Sequence, residues 1–449
     1  MLFRSQLLIL LLINTGIFAS EPTHFTLDNG LKVIVMEKHS IPVAAVQVWY
    51  DVGSHDEWDG IRGTAHLFEH MMFRGTENYE SEEHARLINE AGGYNNAFTS
   101  DDVTVYHERL PSGKLELALK LEAERMHLLK LNEDILATER EVVHEEYRQR
   151  NANPIGKLFL KFRGEMYPEK HPYAVTPIGI MDQLDTVSVK TCQTFYDMHY
   201  GPENATLVIV GDVDLEKTKV LVNQYFGVVR PLGTLPENPD LSIPTQTEKV
   251  VLNEESSFDL PVTLMGFPVP GSAHDDIAAL DVLSYIMSNG QSSRLNQVLV
   301  REKQLALGAG GFPMSMKGPG IFIYFSFYFP QVSSATIEKA IMDIVQDIRE
   351  NGVAVAELSK ARKQMLAGKV FERYSANSLA SSLGNAELVM GDYREFNTEI
   401  ERFNAVTADD VQRVANAYFT EEKMTIMHIQ PENLSFLKKC MFWVAGLFM

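Results

Sequence analysis

The feature that most constrains the fold is an internal repeat that runs through nearly the whole chain. Gly53-Ser54 recurs as Gly271-Ser272 after 218 residues, and Val187-Ser188 recurs as Val406-Thr407 after 219. Each match is embedded in a longer stretch of similar residues. Two independent matches at nearly one offset predict a duplicated domain.

The repeat divides the chain into two halves, which we place at residues 22–235 and 246–436, with a proline-containing linker at 236–245. Within each half, short stretches that alternate apolar and polar residues are interleaved with longer stretches of helical spacing. This order predicts an α+β fold with two homologous α/β-sandwich halves, each built on a mostly antiparallel sheet.

Both ends of the chain differ from the repeated part. Residues 1–20 predict a secretory signal peptide, because a short basic start is followed by an apolar run and small residues. The run is shorter than the ~18 to 20 residues that cross a bilayer, so we expect an exported protein, periplasmic or secreted, with no stable membrane span. An uncleaved anchor is the alternative. The apolar tail at 437–449 has no assigned role, and docking against the protein body is its simplest interpretation.

The charge balance excludes one class of partner. The chain has 60 acidic and 40 basic residues, a formal net charge of -20, which repels a phosphate backbone, so we expect no nucleic-acid partner. Its two cysteines, Cys192 and Cys440, are far apart in sequence and without neighbouring metal ligands. We therefore expect neither disulfides nor cysteine-bound metal to organise the fold.

The segment around His66 carries the clearest chemical signal. Its apolar residues have helical spacing, with Thr64 as the expected cap and Gly75 as the expected end of the helix. At about 100° per residue, His66 and His70 lie about 40° apart on one face, which suits two ligands of one metal ion. Glu69 lies beside them. The pattern is H-x-x-E-H, the inverted zincin motif, and a surface helix with a His-Glu pair is the alternative.

A catalytic zinc site needs a third protein ligand, and a glutamate-rich helix that begins near Asn132 offers candidates. Glu139 and Glu146 are seven residues apart and therefore nearly eclipsed, next to apolar residues expected to face the core. A buried carboxylate needs a partner, and a metal ion is a sufficient one. Periodicity alone does not separate Glu145 from Glu146, and a charge-rich helix can also be a solvated face.

Several segments together match one family. They are Gly63–His70, Phe73–Thr76, Gly92–Ser100, Glu139–Glu146, Asn153-Pro154 and Ser292–Leu295. Through them the sequence resembles the inverzincin metallopeptidases, which include pitrilysin, insulin-degrading enzyme and mitochondrial processing peptidase, and specifically the smaller two-domain members. The resemblance covers most of the chain after the signal peptide.

The resemblance assigns roles to the acidic and histidine residues. It implies that His66, His70 and Glu146 bind Zn²⁺, that Glu69 is the general base, and that Glu139 orients the site from behind the ligands. It also implies two halves that open and close like a clam shell around a chamber.

A substrate-binding strand is also implied, to which an extended peptide adds as a further strand. Composition agrees, because the residues from Ala97 to Tyr106 are strand-like, with polar interruptions suited to an exposed edge. An ordinary sheet edge that binds nothing is the alternative. We therefore expect peptide or unfolded protein substrates along an edge near residues 96–104. The substrate-binding residues implied are Asn96, Ala97, Phe98 and Thr99.

The second half departs from the family pattern. Family members usually carry an Arg and a Tyr there, which reach the substrate carbonyl. The matching run here is one residue short and ends in Leu307, so Arg301 keeps the expected catalytic role and the Tyr is absent. A surface arginine is the alternative for Arg301. Ser284 and Ser288 stand in place of the two histidines, so we expect only the first half to be catalytic.

These patterns predict a zinc-dependent endopeptidase that cuts extended peptides or unfolded segments. Two other functions stay open: a non-catalytic binding or partner subunit of a related hetero-oligomeric peptidase, and an esterase or amidase acting on small molecules. Because the Tyr is missing, a homodimer, or a heterodimer with a related chain, is also an alternative for the working form.

Overall fold

The computed structural model describes residues 21–235 and 237–432, so the predicted signal peptide and apolar tail lie outside the described residues. Each half of the chain contributes one β-sheet. The first-half strands are β1 (Thr23–Thr26), β2 (Lys32–Glu37), β3 (Val43–Tyr50), β4 (Tyr94–Thr99), β5 (Thr104–Pro111) and β6 (Ala205–Gly211). The second-half strands are β7 (Val250–Ser256), β8 (Val262–Val269), β9 (Ala306–Met314), β10 (Gly320–Tyr328) and β11 (Thr425–Pro431).

Helices cover most of the remaining chain. In the first half they are α1 (Thr64–Met71), α2 (Glu83–Glu90), α3 (Leu115–His127), α4 (Glu133–Ala152), α5 (Pro154–Glu165), α6 (Met181–Leu184), α7 (Val189–His199) and α8 (Leu215–Phe226). In the second half they are α9 (Ile277–Ser288), α10 (Ser334–Asn351), α11 (Val355–Glu372), α12 (Ala376–Leu388), α13 (Glu395–Ala405) and α14 (Ala408–Tyr418). A π-helix covers Asn296–Glu302, and 3-10 turns cover Ser54–Asp56, Ser112–Lys114, Pro172–Ala174, Pro202–Asn204 and Glu421–Lys423.

The two sheets have matching topology. Their strand orders are β1-β2-β6-β3-β5-β4 and β7-β11-β8-β10-β9, so the second repeats the first apart from β1. One pairing in each sheet is parallel, β2 with β6 and β7 with β11, and the others are antiparallel. The predicted α+β fold with two homologous, mostly antiparallel halves is confirmed. The clam-shell movement stays a prediction.

Each sheet is covered on one face by helices of its own half and on the other face by a helix of the opposite half. Helix α12, from the second half, packs Leu379 and Leu383 against Trp49 and other apolar residues of the first sheet. Helix α5, from the first half, packs Phe162 against the second sheet, where Leu264 is a neighbour. The halves predicted from the repeat therefore exchange one helix each, which the linear repeat does not reveal.

The segment between the halves, residues 227–249, contains no helix or strand where the structure describes it, and the predicted linker lies within this segment. In the described part of the chain, every helix is too short or too polar to serve as a membrane span.

Two local predictions are wrong in detail. The predicted strand from Ala97 to Tyr106 is two strands, because residues 100–103 form a tight hairpin between β4 and β5. Helix α1 ends at Met71, four residues before Gly75, although Gly75 does adopt the left-handed backbone (φ 106°) typical of a stop signal. The edge of the first sheet next to β5 is consequently β4, and β1 forms the opposite edge.

Candidate metal centre

Helix α1 carries the H-x-x-E-H motif, and a buried carboxylate fixes its start. The helix begins after Gly63, whose φ of 107° favours glycine, so the prediction that Thr64 caps it is wrong. Both oxygens of Glu57 accept backbone N–H groups instead, from Gly63 and Ala65, each at 2.7 Å. Burial raises the pKa of Glu57 to about 8, against the lowering effect of these bonds. Glu57 thus holds the backbone next to the first histidine.

Two histidines and one glutamate converge where the helices α1 and α4 meet. His66 Nε2 lies 3.5 Å from one Glu146 oxygen, and His70 Nε2 lies 3.5 Å from the other. One donor atom from each residue lies within 4.8 Å of the others. The structure therefore brings together three of the residues predicted from the sequence, two from one helix turn and one from a helix about 75 residues later.

The chemistry of these donors fits a zinc ion. Two imidazole nitrogens and one carboxylate form a common catalytic zinc set that leaves a coordination position open. Burial, together with the nearby His70, lowers the pKa of His66 to about 3, so this imidazole is neutral, as a metal ligand must be. Helix α4 begins after Asn132, where its start was predicted, and the Asn132 side chain caps the helix by accepting the Ile135 N–H at 2.9 Å.

Glu69 faces the same space from outside the three-donor set. Its carboxylate accepts a hydrogen bond from the Thr99 hydroxyl at 2.8 Å. Burial raises the pKa of Glu69, and the bond from Thr99 partly opposes that increase. A carboxylate beside the metal position, held by a neighbour and with raised basicity, can accept a proton from a water molecule.

Glu139 lies behind His70, as its predicted orienting role requires. Its Oε2 atom is 3.5 Å from His70 Nδ1, and its other side contacts the Arg74 guanidinium. Burial alone raises the pKa of this carboxyl, but hydrogen bonds from His70 and Arg74 outweigh burial and hold the pKa below its usual value.

The edge strand β4 borders the same space. Ser100 donates its backbone N–H to the Val103 carbonyl at 2.8 Å across the hairpin. Antiparallel hydrogen bonds alternate along a strand, so Phe98 and Asn96 direct their backbone groups toward β5. The backbone of Ala97 faces the free edge, while its side chain points into the core. An extended peptide can therefore pair with this edge.

These parts surround one cavity of about 700 Å³. Apolar side chains cover much of its wall, and Met314 reaches it from the second half. Its lining residues are His66, Glu69, His70, Phe73, Asn96, Phe98, Thr99, Ser100, Asp101, Glu146, Arg150, Phe159, Leu160, Arg163, Thr176, Pro177 and Met314.

Sequence reasoning missed the two arginines in this wall. Arg150 lies one helix turn after Glu146, at 3.9 Å, and this spacing alone indicated that they share a face. Arg163 is buried and forms an ion pair with Asp101, and no pattern in the sequence pointed to that contact.

Arg301 is the predicted site residue that the structure does not bring to the cavity. It lies exposed in the π-helix, and its guanidinium donates to Gln291 at 2.5 Å within the second half. Leu307 is also exposed, at the start of β9. Neither side chain lines the cavity, so the predicted catalytic role of Arg301 has no support from this arrangement.

A second His and carboxylate cluster has donor atoms close enough for a metal, but a buried arginine already pairs with its carboxylates. His84 Nε2 lies 2.5 Å from Glu108, a hydrogen-bond distance shorter than the separation of two ligands around one ion. Arg125 forms an ion pair with Glu122 and lies 3.9 Å from Glu108. Because a fixed cation already occupies this cluster, we assign no metal there.

Comparisons with known proteins agree with the fold. Residues 32–171 match the family model described as Insulinase (Peptidase family M16), and residues 186–365 match the one described as Peptidase M16 inactive domain. The zinc protease PqqE of Helicobacter pylori is 32% identical over 411 residues, covering 90% of this chain and 92% of that protein.

One solved structure and one further sequence relative also match this chain. The crystal structure of a protease from Helicobacter pylori has a TM-score of 0.86 and 31% identity, covering 92% of this chain and 100% of that chain. A probable mitochondrial-processing peptidase subunit beta of Arabidopsis thaliana is 25% identical, covering 92% of this chain and 79% of that protein. The chain therefore belongs to peptidase family M16, in its two-domain form, and the resemblance found in the sequence is confirmed.

Proposed function

We propose that this chain is a zinc-dependent endopeptidase that cuts extended peptides or unfolded protein segments. The observation that carries the proposal is the convergence of His66, His70 and Glu146 beside Glu69, next to the free edge of β4. Family membership supports peptidase activity in general. Zinc dependence and the substrate class are our proposal for this chain.

The residues divide the chemistry between them. His66, His70 and Glu146 would hold the zinc ion, which would serve as a Lewis acid toward the peptide carbonyl when bound. Glu69 accepts the proton of the attacking water molecule and returns it to the leaving amine. Thr99 keeps the Glu69 carboxylate turned toward that position through its hydroxyl.

Substrate orientation follows from the strand beside these groups. A peptide that pairs with the outward backbone of Ala97 lies extended, and its carbonyl groups pass the metal position along the cavity. The apolar wall residues Phe73, Phe98 and Phe159 offer contacts to side chains on either side of the cut bond. Main-chain pairing provides most of the recognition, so we expect a loose cleavage preference.

The test combines metal content with product analysis. The purified chain is analysed for zinc and incubated with a mixed peptide library, whose products are read by mass spectrometry. We expect bound zinc and internal cleavage, and Glu69→Gln retains zinc while losing at least the ~10²-fold in turnover typical of a lost general base. Glu145→Gln is the matched control, because Glu145 is exposed and pairs with Arg148.

Other outcomes assign other functions. A protein without zinc that still binds peptides would be a binding or partner subunit, and hydrolysis of small esters without any peptide fragments would indicate an esterase or amidase. If Glu69→Gln removes the zinc, the roles of ligand and base are wrongly divided.

We further propose that the working form contains a second related chain, as a homodimer or a heterodimer. The support is that the described lining of the cavity has no Arg or Tyr from the second half. Arg301 lies outside the cavity, and Leu307 takes the place of the expected Tyr. One relative carries the word subunit in its name. Light scattering of the purified chain, with activity measured alone and with a co-expressed homologue, tests this proposal.

Export to the periplasm or the medium is likewise proposed, on the pattern of residues 1–20. Sequencing of the mature N-terminus and cell fractionation test it. A cytosolic protein that retains Met1 would contradict the proposal.

A further inference from the structure

Arg74 lies just beyond helix α1, where its backbone N–H bonds the Met71 carbonyl at 2.9 Å. Its side chain turns back along the helix toward Glu139. None of the roles assigned above includes this arginine.

The contact between Arg74 and Glu139 is two-pronged. Arg74 Nε lies 2.6 Å from one carboxylate oxygen, and Nη2 donates to the other at 3.3 Å. The Glu139 side chain is only 1% exposed. A buried carboxylate needs a cation or hydrogen-bond donors. Among the Lys and Arg side chains of the described residues, Arg74 is the one that pairs with Glu139.

The same carboxylate faces His70 on its other side. Glu139 Oε2 receives the Nη2 bond and also lies 3.5 Å from His70 Nδ1. The orientation of the His70 ring depends on the position of that oxygen, because the ring directs its opposite nitrogen toward Glu146. Arg74, Glu139 and His70 thus form a chain of contacts that ends at a candidate ligand atom.

A third contact fixes the guanidinium itself. Arg74 Nη1 forms an ion pair with Glu82, a non-glycine residue with a left-handed backbone (φ 64°). The Glu82 N–H in turn bonds the carbonyl of Phe73 at 3.1 Å. One planar fork thereby holds two carboxylates in different directions, which a lysine ammonium cannot do with the same geometry.

We propose that Arg74 is a positioning residue for the metal centre: it fixes Glu139, and through Glu139 the ring of His70, and so raises the affinity of the site for zinc. The inference rests on the proposed function, since it assumes that His70 binds zinc. It adds a residue outside the H-x-x-E-H motif to the set that determines metal affinity.

The experiment measures the zinc dissociation constant of the metal-free full-length chain by competition with a chromogenic chelator. The proteins are wild type, Arg74→Gln, Arg74→Lys, Glu139→Gln and the double variant of Arg74→Gln with Glu139→Gln. Arg86→Gln is the matched control, because Arg86 forms two ion pairs, with Glu83 and Glu90, on the surface of helix α2.

We expect Arg74→Gln to weaken zinc binding by about 10 to 100-fold, the range for residues that support a metal ligand. Arg74→Lys restores part of the loss, and Arg86→Gln binds like wild type. The double variant binds no more weakly than Glu139→Gln, because Arg74 acts through that carboxylate. At saturating zinc, Arg74→Gln keeps the KM of wild type, which a substrate contact would change.

Two results overturn the inference alone: unchanged zinc affinity in Arg74→Gln, or losses that add fully in the double variant. If Arg74→Gln does not fold, Arg74→Lys decides, because wild-type affinity in that variant contradicts the need for the fork. A wild-type chain that binds no zinc overturns both this inference and the proposed function. A chain that binds zinc as expected but cuts no peptide overturns the proposed function only.

Discussion

The Thr99 hydroxyl donates a hydrogen bond to the Glu69 carboxylate at 2.8 Å. The last residue of the edge strand β4 is therefore in direct contact with the candidate general base. We expected Thr99 to serve substrate binding through its backbone, and the structure adds this side-chain contact on the catalytic side. A substitution at this position consequently affects catalysis as well as peptide binding.

Thr99→Val removes this bond and keeps the size and strand preference of the side chain. We expect kcat to fall by about 10 to 150-fold, because a hydrogen bond to a charged group contributes about 1.5 to 3 kcal/mol, while zinc content stays unchanged. Thr99→Ser keeps the hydroxyl and is the control. Wild-type kcat in Thr99→Val would show that the bond does not orient Glu69.

Substitutions of two adjacent glutamates test which of them is the third metal ligand. Glu146 lies 3.5 Å from both histidine nitrogens, whereas Glu145 is half exposed and pairs with Arg148 at 2.9 Å. We expect Glu146→Gln to weaken zinc binding by more than the ~10 to 100-fold of a supporting residue, and Glu145→Gln to leave it nearly intact. Isothermal titration with zinc measures both, and the reverse order would transfer the ligand role to Glu145.

Pairing along β4 is tested with modified substrates instead of variants. N-methylation of a peptide removes one backbone donor, and only every second residue of an added strand directs its donor toward Ala97. We expect a scan of singly N-methylated peptides to raise KM with a period of two residues. A uniform effect, or efficient cutting inside a stable folded domain, would contradict the added-strand model.

A pH effect on stability follows from Glu108, which is buried against His84. Burial raises the pKa of Glu108 to about 7, against the opposing charge of Arg125. Because the folded state then holds this proton more tightly than the unfolded chain, the contribution of Glu108 to stability falls as the pH rises from about 4.5 to about 7.

Glu108→Gln removes this titration while keeping the shape of the side chain. We expect the free energy of unfolding of wild type, relative to Glu108→Gln, to decrease between pH 5 and about pH 7.5 in denaturant titrations. Glu116→Gln, on the surface next to Tyr225, is the control. A difference that is constant or grows with pH would show that Glu108 is ionised throughout.

Local sequence patterns predict the part of the site that lies within one helix turn, because a period of 3.6 residues places His66 and His70 on one helix face. Periodicity left Glu145 and Glu146 as alternatives for the third ligand, and only the family resemblance separated them. The class of the fold, two homologous halves with mostly antiparallel sheets, was predictable because the repeat and the alternating strands are both visible in the sequence.

Contacts between distant segments were not predictable in the same way. Glu57 was passed over because its role depends on the backbone N–H groups of another segment. The position of Arg301 outside the cavity was not predictable, because it depends on how the halves pack. Gln47 bonds the Asn377 carbonyl at 3.1 Å across 330 residues, and no periodicity encodes such a pair.

The exchange of helices α5 and α12 determines what a half of this molecule can be. An added Cβ at Gly384 of α12 would lie 2.2 Å from the Trp49 ring, and one at Gly266 of β8 would lie 2.6 Å from Met166, just after α5. Either half alone would leave one face of its sheet bare to solvent and could not be an autonomous folding unit. Each half is complete only with a helix from the other, so the chain has the form of a domain-swapped dimer whose two units are joined by a linker.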